Sequence, residues 1–397
     1  MTGQWLLIAY AGLLPFLLFL LLCGDRPAFE GTCLERMHHF IFAGGCCESL
    51  QWLIGCVCGE RGTKTCSSVE QYLCDRPNPV LQLFYLSILG GSYITIATTS
   101  LHYIPGFYVS VYHKYIGQAA VLVGVLLFLL TSFTDPGVIN STTLKVHISS
   151  YPYDGMIYEG TKECTTCRIT RPARSKHCSI CDRCVARFDH HCGWMNNCIG
   201  EKNLRYFLSF LIWHVCLCLY GAFLLGAILL GEVEDRNVVR AITYYYGGPA
   251  TLRKVYSHVL QWLLTFYSTQ VLMMVFLFVV SVLLAGFASY HIYLILVNTT
   301  TNETYKWDMY QRWQAELAYT KILEESKIAG IDRGFPVQKR NWMCGMFSFL
   351  SSRDPSLPPR PKLSNFKQKN IYNRGMFANL AEAVFPISNR KAPKKKD

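Results

Sequence analysis

No internal repeat runs through the 397 residues, so a solenoid or propeller is excluded. No recognition helix stands out among the basic residues either. They lie in stretches flanking apolar runs, and a nucleic-acid partner is not expected despite a net charge of +12. The apolar run Trp5 to Cys23 has neither a basic stretch ahead of it nor a small-residue cleavage site, which argues for a retained anchor over a removed signal peptide. The eighteen cysteines lack the setting of a secreted disulfide scaffold, which is usually short and loop-rich. Those with metal-ligand spacing sit in a polar segment between hydrophobic spans, read here as cytosolic.

What the chain does have is apolar sequence. About half of it is hydrophobic, and several runs reach the roughly 18 residues of a membrane-crossing helix. Five spans are predicted: Trp5 to Cys23, Val80 to Leu101, Tyr115 to Phe133, Leu204 to Leu230 and Val271 to Val297. With the segment between the third and fourth spans in the cytosol, the tail after the fifth is cytosolic too. The loops His102–Lys114 and Gly231–Gln270 then face the lumen or exterior. His39 to Cys58 is apolar enough for an interfacial or re-entrant piece, but Glu48 and small residues argue against a full span. Basic charge follows the same topology. Residues 298–397 hold eighteen Lys/Arg against nine Asp/Glu, and residues 134–203 hold nine against seven.

The chain therefore divides into an N-terminal transmembrane helix (1–23), a cysteine-containing cytosolic loop (24–78), two spans (79–134) and a cytosolic cysteine-rich domain (135–203). Two further spans with a lumenal loop (204–297) and a basic cytosolic tail (298–397) complete it. The expected fold is a polytopic α-helical membrane protein of about five transmembrane helices with a small cytosolic two-zinc cysteine-rich domain.

Between Cys164 and Cys198 stand seven cysteines and three histidines in thirty-five residues, spaced C-x₂-C-x₉-H-C-x₂-C-x₂-C-x₄-D-H-H-C-x₅-C. Six cysteines and two histidines can be shared out as two complete tetrahedral Cys₃His zinc sites. Histidine spread through the set favours zinc over an iron–sulfur cluster. Few large apolar residues are available there for a core, so metal binding must supply much of the folding energy. One cysteine and one histidine are left over in the run Asp189-His190-His191-Cys192. A free thiol beside an imidazole is a candidate nucleophile. Spacing does not tell His190 from His191 as the free histidine.

From Cys164 through Phe207 the sequence resembles the DHHC family of protein S-acyltransferases, the palmitoyltransferases. The resemblance is carried by Asp189-His190-His191-Cys192, Trp194, Asn196-Asn197-Cys198, Asn203 and Phe207. Outside the cassette, Asp135-Pro136-Gly137, Thr300-Thr301-Asn302-Glu303, and Asn379 with Val384-Phe385 resemble further elements of that family in the same order. The resemblance implies one zinc on Cys164, Cys167, His177 and Cys184, and an interleaved second on Cys178, Cys181, His191 and Cys198. It chooses His190 as the free histidine, with Cys192 as nucleophile bearing the acyl intermediate and Asp189 beside them. Gly193 departs from the family, where proline commonly follows the cysteine, and the span at Trp5 is additional to the usual four.

Neither zinc is expected to have an open position, so metal-bound water is not the reagent. His190 can take the thiol proton while Asp189 fixes its tautomer. Fatty acyl-coenzyme A (palmitoyl-CoA) is the expected co-substrate, and cytosolic cysteines of membrane-associated proteins are the acceptors in a ping-pong cycle. A membrane-anchored zinc module that only binds proteins would need no free thiol at Cys192. Arg168, Arg171, Arg174 and Lys176 are candidates for meeting the coenzyme A phosphates, a solvated basic face beside anionic lipid being the alternative. Thr300 and Thr301 are read as capping or ending the last span, and the resemblance implies that their element packs near the cassette as structural support; Asn379 is read as tethering the tail to the membrane domain. Seven cysteines between Cys33 and Cys74, with His38 and His39, are read as scattered thiols or acylation targets, a third metal site being the alternative. The final Lys394-Lys395-Lys396-Asp397 is dilysine-like, which points to the endoplasmic reticulum; Golgi, vesicle or plasma membrane are alternatives. The N-x-S/T triplets at Asn140, Asn298 and Asn302 are cytosolic by this topology and not expected to be glycosylated.

Overall fold

The structure is a computed structural model that describes residues 32–42, 45–160, 162–245, 252–328 and 370–388, with isolated positions nearer the N-terminus. Apart from such positions the expected anchor at Trp5 to Cys23 lies outside the described residues, as do the terminal lysines.

Two helices, α1 (Cys33–Phe42) and α2 (Gly45–Cys74), lead in. Glycine at position 59 takes φ +63°, a left-handed conformation that breaks α2 in the middle. Next come α3 (Val80–Thr99), α4 (Tyr112–Phe133) and the short α5 (Leu144–Ser150). Six two- or three-residue strands then pair as three antiparallel hairpins: β1 (Glu163–Cys164) with β2 (Ile169–Thr170), β3 (Lys176–Cys178) with β4 (Arg183–Val185), and β5 (His190–Cys192) with β6 (Asn197–Ile199). After them stand α6 (Leu204–Asp235), α7 (Val238–Tyr245), α8 (Leu252–Phe266), α9 (Ser268–Leu296), α10 (Thr301–Ile328) and α11 (Met376–Val384).

Among the described residues four helices are long and apolar enough to cross a membrane: α3, α4, α6 and α9. They match the last four expected spans to within a few residues. The loop expected at Gly231–Gln270 is largely helical: α6 runs on to Asp235, and α7 and α8 fill much of the remainder. The stretch Cys33 to Cys74 is helical as well, and α2 is not among the four. No group of metal-ligating side chains converges there among the described residues.

α6 packs along α9 and against α4. Their shared interior holds Phe128 of α4, Phe207, Phe210 and Leu211 of α6, and Ala288 and Ile295 of α9, with Tyr85 and Leu86 of α3 against it. One hydrogen bond crosses this interior, between the Tyr85 hydroxyl and His214 Nε2 at 2.8 Å. Gly124 lets α4 approach there, since a Cβ at that position would lie 3.3 Å from the His214 ring. Phe133, Phe223 and Phe278 point outward and are exposed, as lipid-facing positions require.

All four spans present one end to the hairpins. α3 begins against the loop after β5, where the Gln82 side chain donates to the Met195 carbonyl at 3.0 Å. α4 ends where Asn197 Nδ2 donates to the carbonyls of Thr131 (3.3 Å) and Thr134 (2.9 Å). Asp135 then accepts from the N–H groups of Gly137 and Val138, a tight Asx turn completed by Gly137 at φ +106°. α6 starts soon after β6, and α9 ends beside the hairpins. The start of α3 and the ends of α4 and α9 are thus on one side, together with the cysteine-rich segment and the tail.

Asn298 is fully buried and Asn302 nearly so, which leaves no room for a glycan. Glycosidase treatment of protein made in eukaryotic cells is expected to leave its electrophoretic mobility unchanged. A shift mapped to Asn140, Asn298 or Asn302 would put these residues on the wrong side of the membrane.

Candidate active site and metal centres

Strand alternation sorts the cassette. Successive side chains on a strand point to opposite faces. On β3, His177 joins one donor group and its neighbour Cys178 joins the other. Cys184 sits directly across from His177. On β5, His191 faces its cross-strand partner Cys198, while His190 and Cys192 share the opposite face.

Two groups of four donors result: Cys164, Cys167, His177 and Cys184, and Cys178, Cys181, His191 and Cys198. Within each, the ligand atoms all lie within 4.8 Å of one another. His177 Nδ1 is 3.3 Å from Cys167 Sγ and 3.8 Å from Cys184 Sγ. His191 Nδ1 is 3.3 Å from Cys181, 3.7 Å from Cys198 and 3.8 Å from Cys178. A tetrahedral zinc with these ligands has edges of about 3.6 Å, so the donor sets fit the ion without rearrangement. His177 Nε2 stands 3.5 Å from Asp182, an outer carboxylate of the kind that orients a ligating imidazole.

Asp189 is buried, and its side chain accepts from His190 Nδ1 at 2.6 Å. Burial alone would raise its carboxyl, but the hydrogen bond from His190, the charges of His190 and His291, and the Thr301 N–H hold it below the ordinary range. Burial likewise opposes a charged His190, yet the hydrogen bond to Asp189, followed by the contact with Cys192, raises that imidazole to about 9. Cys192 is 8 % exposed and belongs to the apolar interior shared by α4, α6 and α9. His190, Cys192 and Asp189 thus meet where the hairpins touch the membrane helices.

Thr300 and Thr301 begin α10 instead of merely ending the last span. Thr300 Oγ1 accepts from the Glu303 N–H at 3.2 Å, and Glu303 Oε2 accepts from the Thr300 N–H at 3.0 Å, a reciprocal capping box. The next free N–H groups of the helix turn to Asp189: Thr301 N–H donates to its Oδ1 at 2.7 Å, and Asn302 N–H to its main-chain carbonyl at 3.2 Å. Thr301 Oγ1 adds a bond to Oδ2 at 3.1 Å. A carboxylate at a helix N-terminus meets both unpaired donors and the positive end of the helix dipole.

Sequence reasoning missed His291, which α9 brings to 3.9 Å from Asp189 with its ring centroid 5.7 Å from that of His190. A histidine inside an apolar span was the available signal. It also misread Arg174. That side chain is 0 % exposed. Its Nε and Nη2 donate to the two Glu303 oxygens at 2.7 Å, and Nη1 and Nη2 to Asn298 Oδ1 and carbonyl at 2.7 and 3.0 Å. Fully buried, Arg174 is out of reach of a coenzyme A phosphate; Arg168 and Lys176 remain exposed. Arg187 joins from the hairpins through Asn298 (3.0 Å), and Glu382 of α11 lies 3.5 Å from Arg174 and 3.8 Å from Arg187. Asn379, also on α11, donates to the Leu296 carbonyl at 2.7 Å, so the expected tether of the tail is present.

Gly193 sits where α3 comes close: a Cβ there would meet Leu81 Cδ1 at 2.9 Å. A larger residue would have to push that flexible side chain aside.

The sequence model of the DHHC palmitoyltransferase family matches residues 157–308, which hold both donor groups, Cys192 and the start of α10. The chain is 33% identical over 246 residues to Palmitoyltransferase ZDHHC4 of Bos taurus, covering 61% of this chain and 70% of that protein. It is 30% identical over 396 residues to Palmitoyltransferase SWF1 of Neurospora crassa, covering 94% of this chain and 90% of that protein. Palmitoyltransferase swf1 of Schizosaccharomyces pombe is 27% identical over 387 residues, 96% of each chain. With its zinc-type donor sets, its Asp189-His190-His191-Cys192 run and two of these relatives matched over nearly their whole length, the chain belongs to the DHHC palmitoyltransferase family.

Proposed function

We propose that Cys192 is the nucleophile by which this protein S-palmitoyltransferase carries its acyl group, with His190 as the base and Asp189 as the group that orients it. The observation that carries this reading is the place of Cys192: one side meets the hydrogen-bonded Asp189–His190 pair, the other the apolar interior where α3, α4, α6 and α9 converge. A fatty chain can lie in that interior while its carbonyl stays beside the thiol.

Palmitoyl-coenzyme A is the donor by its chemistry, since its thioester exchanges with a thiol at little net cost. His190, made more basic by Asp189, takes the proton of Cys192. The thiolate adds to the acyl carbonyl carbon, the carbon–sulfur bond to coenzyme A breaks, and coenzyme A leaves as a thiol with the proton from His190. In the second step the thiol of a cytosolic cysteine on a membrane-associated protein gives its proton to His190 and attacks the acyl-enzyme. Cys192 leaves and regains a proton. Two structural zinc ions, on the donor sets given above, hold the hairpins that present these side chains.

The cytosolic cysteine-rich unit at 135–203, flanked by span pairs at 79–134 and 204–297, is the organisation this chemistry uses. The remaining proposed units are an anchor at 1–23, a cytosolic segment at 24–78 and a tail at 298–397. The protein is a multi-pass membrane protein, and the endoplasmic reticulum is its proposed residence on the strength of Lys394-Lys395. Exchange of both lysines for serine is the corresponding test, with redistribution of a tagged chain as the expected result.

Incubation with labelled palmitoyl-coenzyme A is expected to give a hydroxylamine-sensitive label that Cys192→Ser lacks. His190→Gln is expected to slow labelling by about 10²- to 10⁴-fold. A Cys192→Ser protein that still acylates a substrate would falsify this assignment.

A further inference from the structure

We propose that Asp189, His190 and His291 form a third metal site, at which a labile zinc ion shuts off the catalytic base; the inference rests on the assignment of His190 and Cys192 above. Among the described residues three groups of metal-ligating side chains converge, and two of them are the Cys₃His sets of the cassette. The third joins Asp189 and His190 to His291 of α9, with ligand atoms that all lie within 4.8 Å of one another. Two histidines and one carboxylate are a set that zinc accepts, with its fourth position left open. The set contains no thiolate, so it holds the ion less tightly than the Cys₃His centres do.

Asp189 Oδ2 is the hub of the group. His190 Nδ1 lies 2.6 Å from it and His291 Nδ1 3.9 Å. The first separation encloses a proton, and the second is too long for a hydrogen bond. A tetrahedral ion with bonds of about 2.1 Å sets its donors about 3.4 Å apart, between the two observed values. Parting one pair by about 0.8 Å and closing the other by about 0.5 Å therefore seats the ion. Asp189 Oδ1 is not needed, because it accepts from the Thr301 N–H at 2.7 Å and keeps the carboxylate anchored. His291 is fixed by its packing: its ring stands edge-on to Phe207 and Phe287, with centroids 5.2 and 4.6 Å away. The His190 side chain is 25 % exposed against 3 % for His291 and 5 % for Asp189, so an ion enters past His190.

The ion acts through the tautomer of His190. What one imidazole nitrogen binds decides what the other carries. With its proton on Nδ1 and shared with Asp189, His190 presents the bare Nε2 to Cys192. Zinc on Nδ1 displaces that proton. A neutral imidazole ligated through Nδ1 carries its single proton on Nε2, which is then a donor and no longer an acceptor. The Cys192 thiol loses its base. No covalent bond of the chain changes, the displaced proton passes to solvent, and removal of the ion restores the pair. Acyl transfer thus becomes sensitive to free zinc while the structural ions stay in place.

The test uses the full chain, carrying its structural zinc, in phosphatidylcholine vesicles equilibrated with zinc buffered by nitrilotriacetate. Zinc per chain is counted by atomic emission, and coenzyme A release from palmitoyl-coenzyme A is compared with that of the same protein without added zinc. The wild type is expected to bind one zinc more than His291→Phe, whose phenyl ring suits the aromatic surroundings, and to stop releasing coenzyme A as it does so. Brief chelation is expected to remove that ion alone and restore the rate. In His291→Phe, and in His291→Gln as a second variant, the zinc concentration that halves the rate is expected to rise by about 10- to 100-fold. Cys192→Ser is expected to bind the extra ion, since its thiol is not a ligand. Equal zinc content in the wild type and both His291 variants overturns the inference and leaves the assignment of Cys192 standing, as does inhibition at the same zinc concentration in all three. A Cys192→Ser protein that still transfers palmitate sinks the assignment of Cys192, whereas a zinc count that depends on His291 keeps the metal site.

Discussion

Cys178→Ala is expected to strip zinc from the cassette and leave residues 164–198 open to protease. A structural zinc of this type supplies about 10–16 kcal/mol of apparent binding energy, far more than three hairpins of two- and three-residue strands can replace. The loss should not stay at one centre. His177 and Cys178 are neighbours on β3 yet serve different donor groups, so freeing one group unfixes the strand that holds the other. Zinc content measured by atomic emission should fall towards zero per chain, and palmitoyl transfer with it. Cys192→Ala is the contrast: it lies outside both groups and should keep two zinc ions per chain while losing transfer. Full zinc content in Cys178→Ala would mean that the donor sets are divided wrongly.

The second large effect is expected at Arg174. Its guanidinium is enclosed by Glu303, Asn298, Tyr151 and Tyr372, with ring centroids 5.1 and 4.5 Å from its central carbon. Removing one partner of a buried, hydrogen-bonded ion pair costs about 3–5 kcal/mol, because the other charge is left without compensation. Arg174→Ala should therefore lower the thermal midpoint in detergent and release α11 to protease. Arg174→Lys should rescue little, since an ammonium cannot bind Glu303 through two parallel bonds and Asn298 at once. A direct role in binding coenzyme A predicts a different pattern, with unchanged stability and a raised KM for palmitoyl-coenzyme A.

What the sequence made legible was what short spacing encodes. The runs of apolar residues located four spans to within a few positions, and the cysteine and histidine spacing announced two four-donor groups. His190 against His191 could not be settled by spacing, because the deciding fact is which face of β5 each occupies, and that depends on pairing with β6. Arg174 was read as a surface charge because its partners lie 124 and 129 residues away in the chain. Thr300 and Thr301 were assigned to the helix they follow and not to the one they begin; the Glu303 that completes the capping box was already visible three residues on. The helices α7 and α8 were missed because an amphipathic helix inside a connecting segment has no long apolar run to mark it.

The hold of α10 on Asp189 also bears on the order of synthesis. The residues that fix this carboxylate leave the ribosome more than a hundred residues after it. A nascent chain whose hairpins have already closed on zinc still lacks the clamp on its aspartate until α9 has inserted and α10 has begun. Until then Asp189 lacks the two main-chain donors, Thr301 and Asn302, that the finished fold gives it.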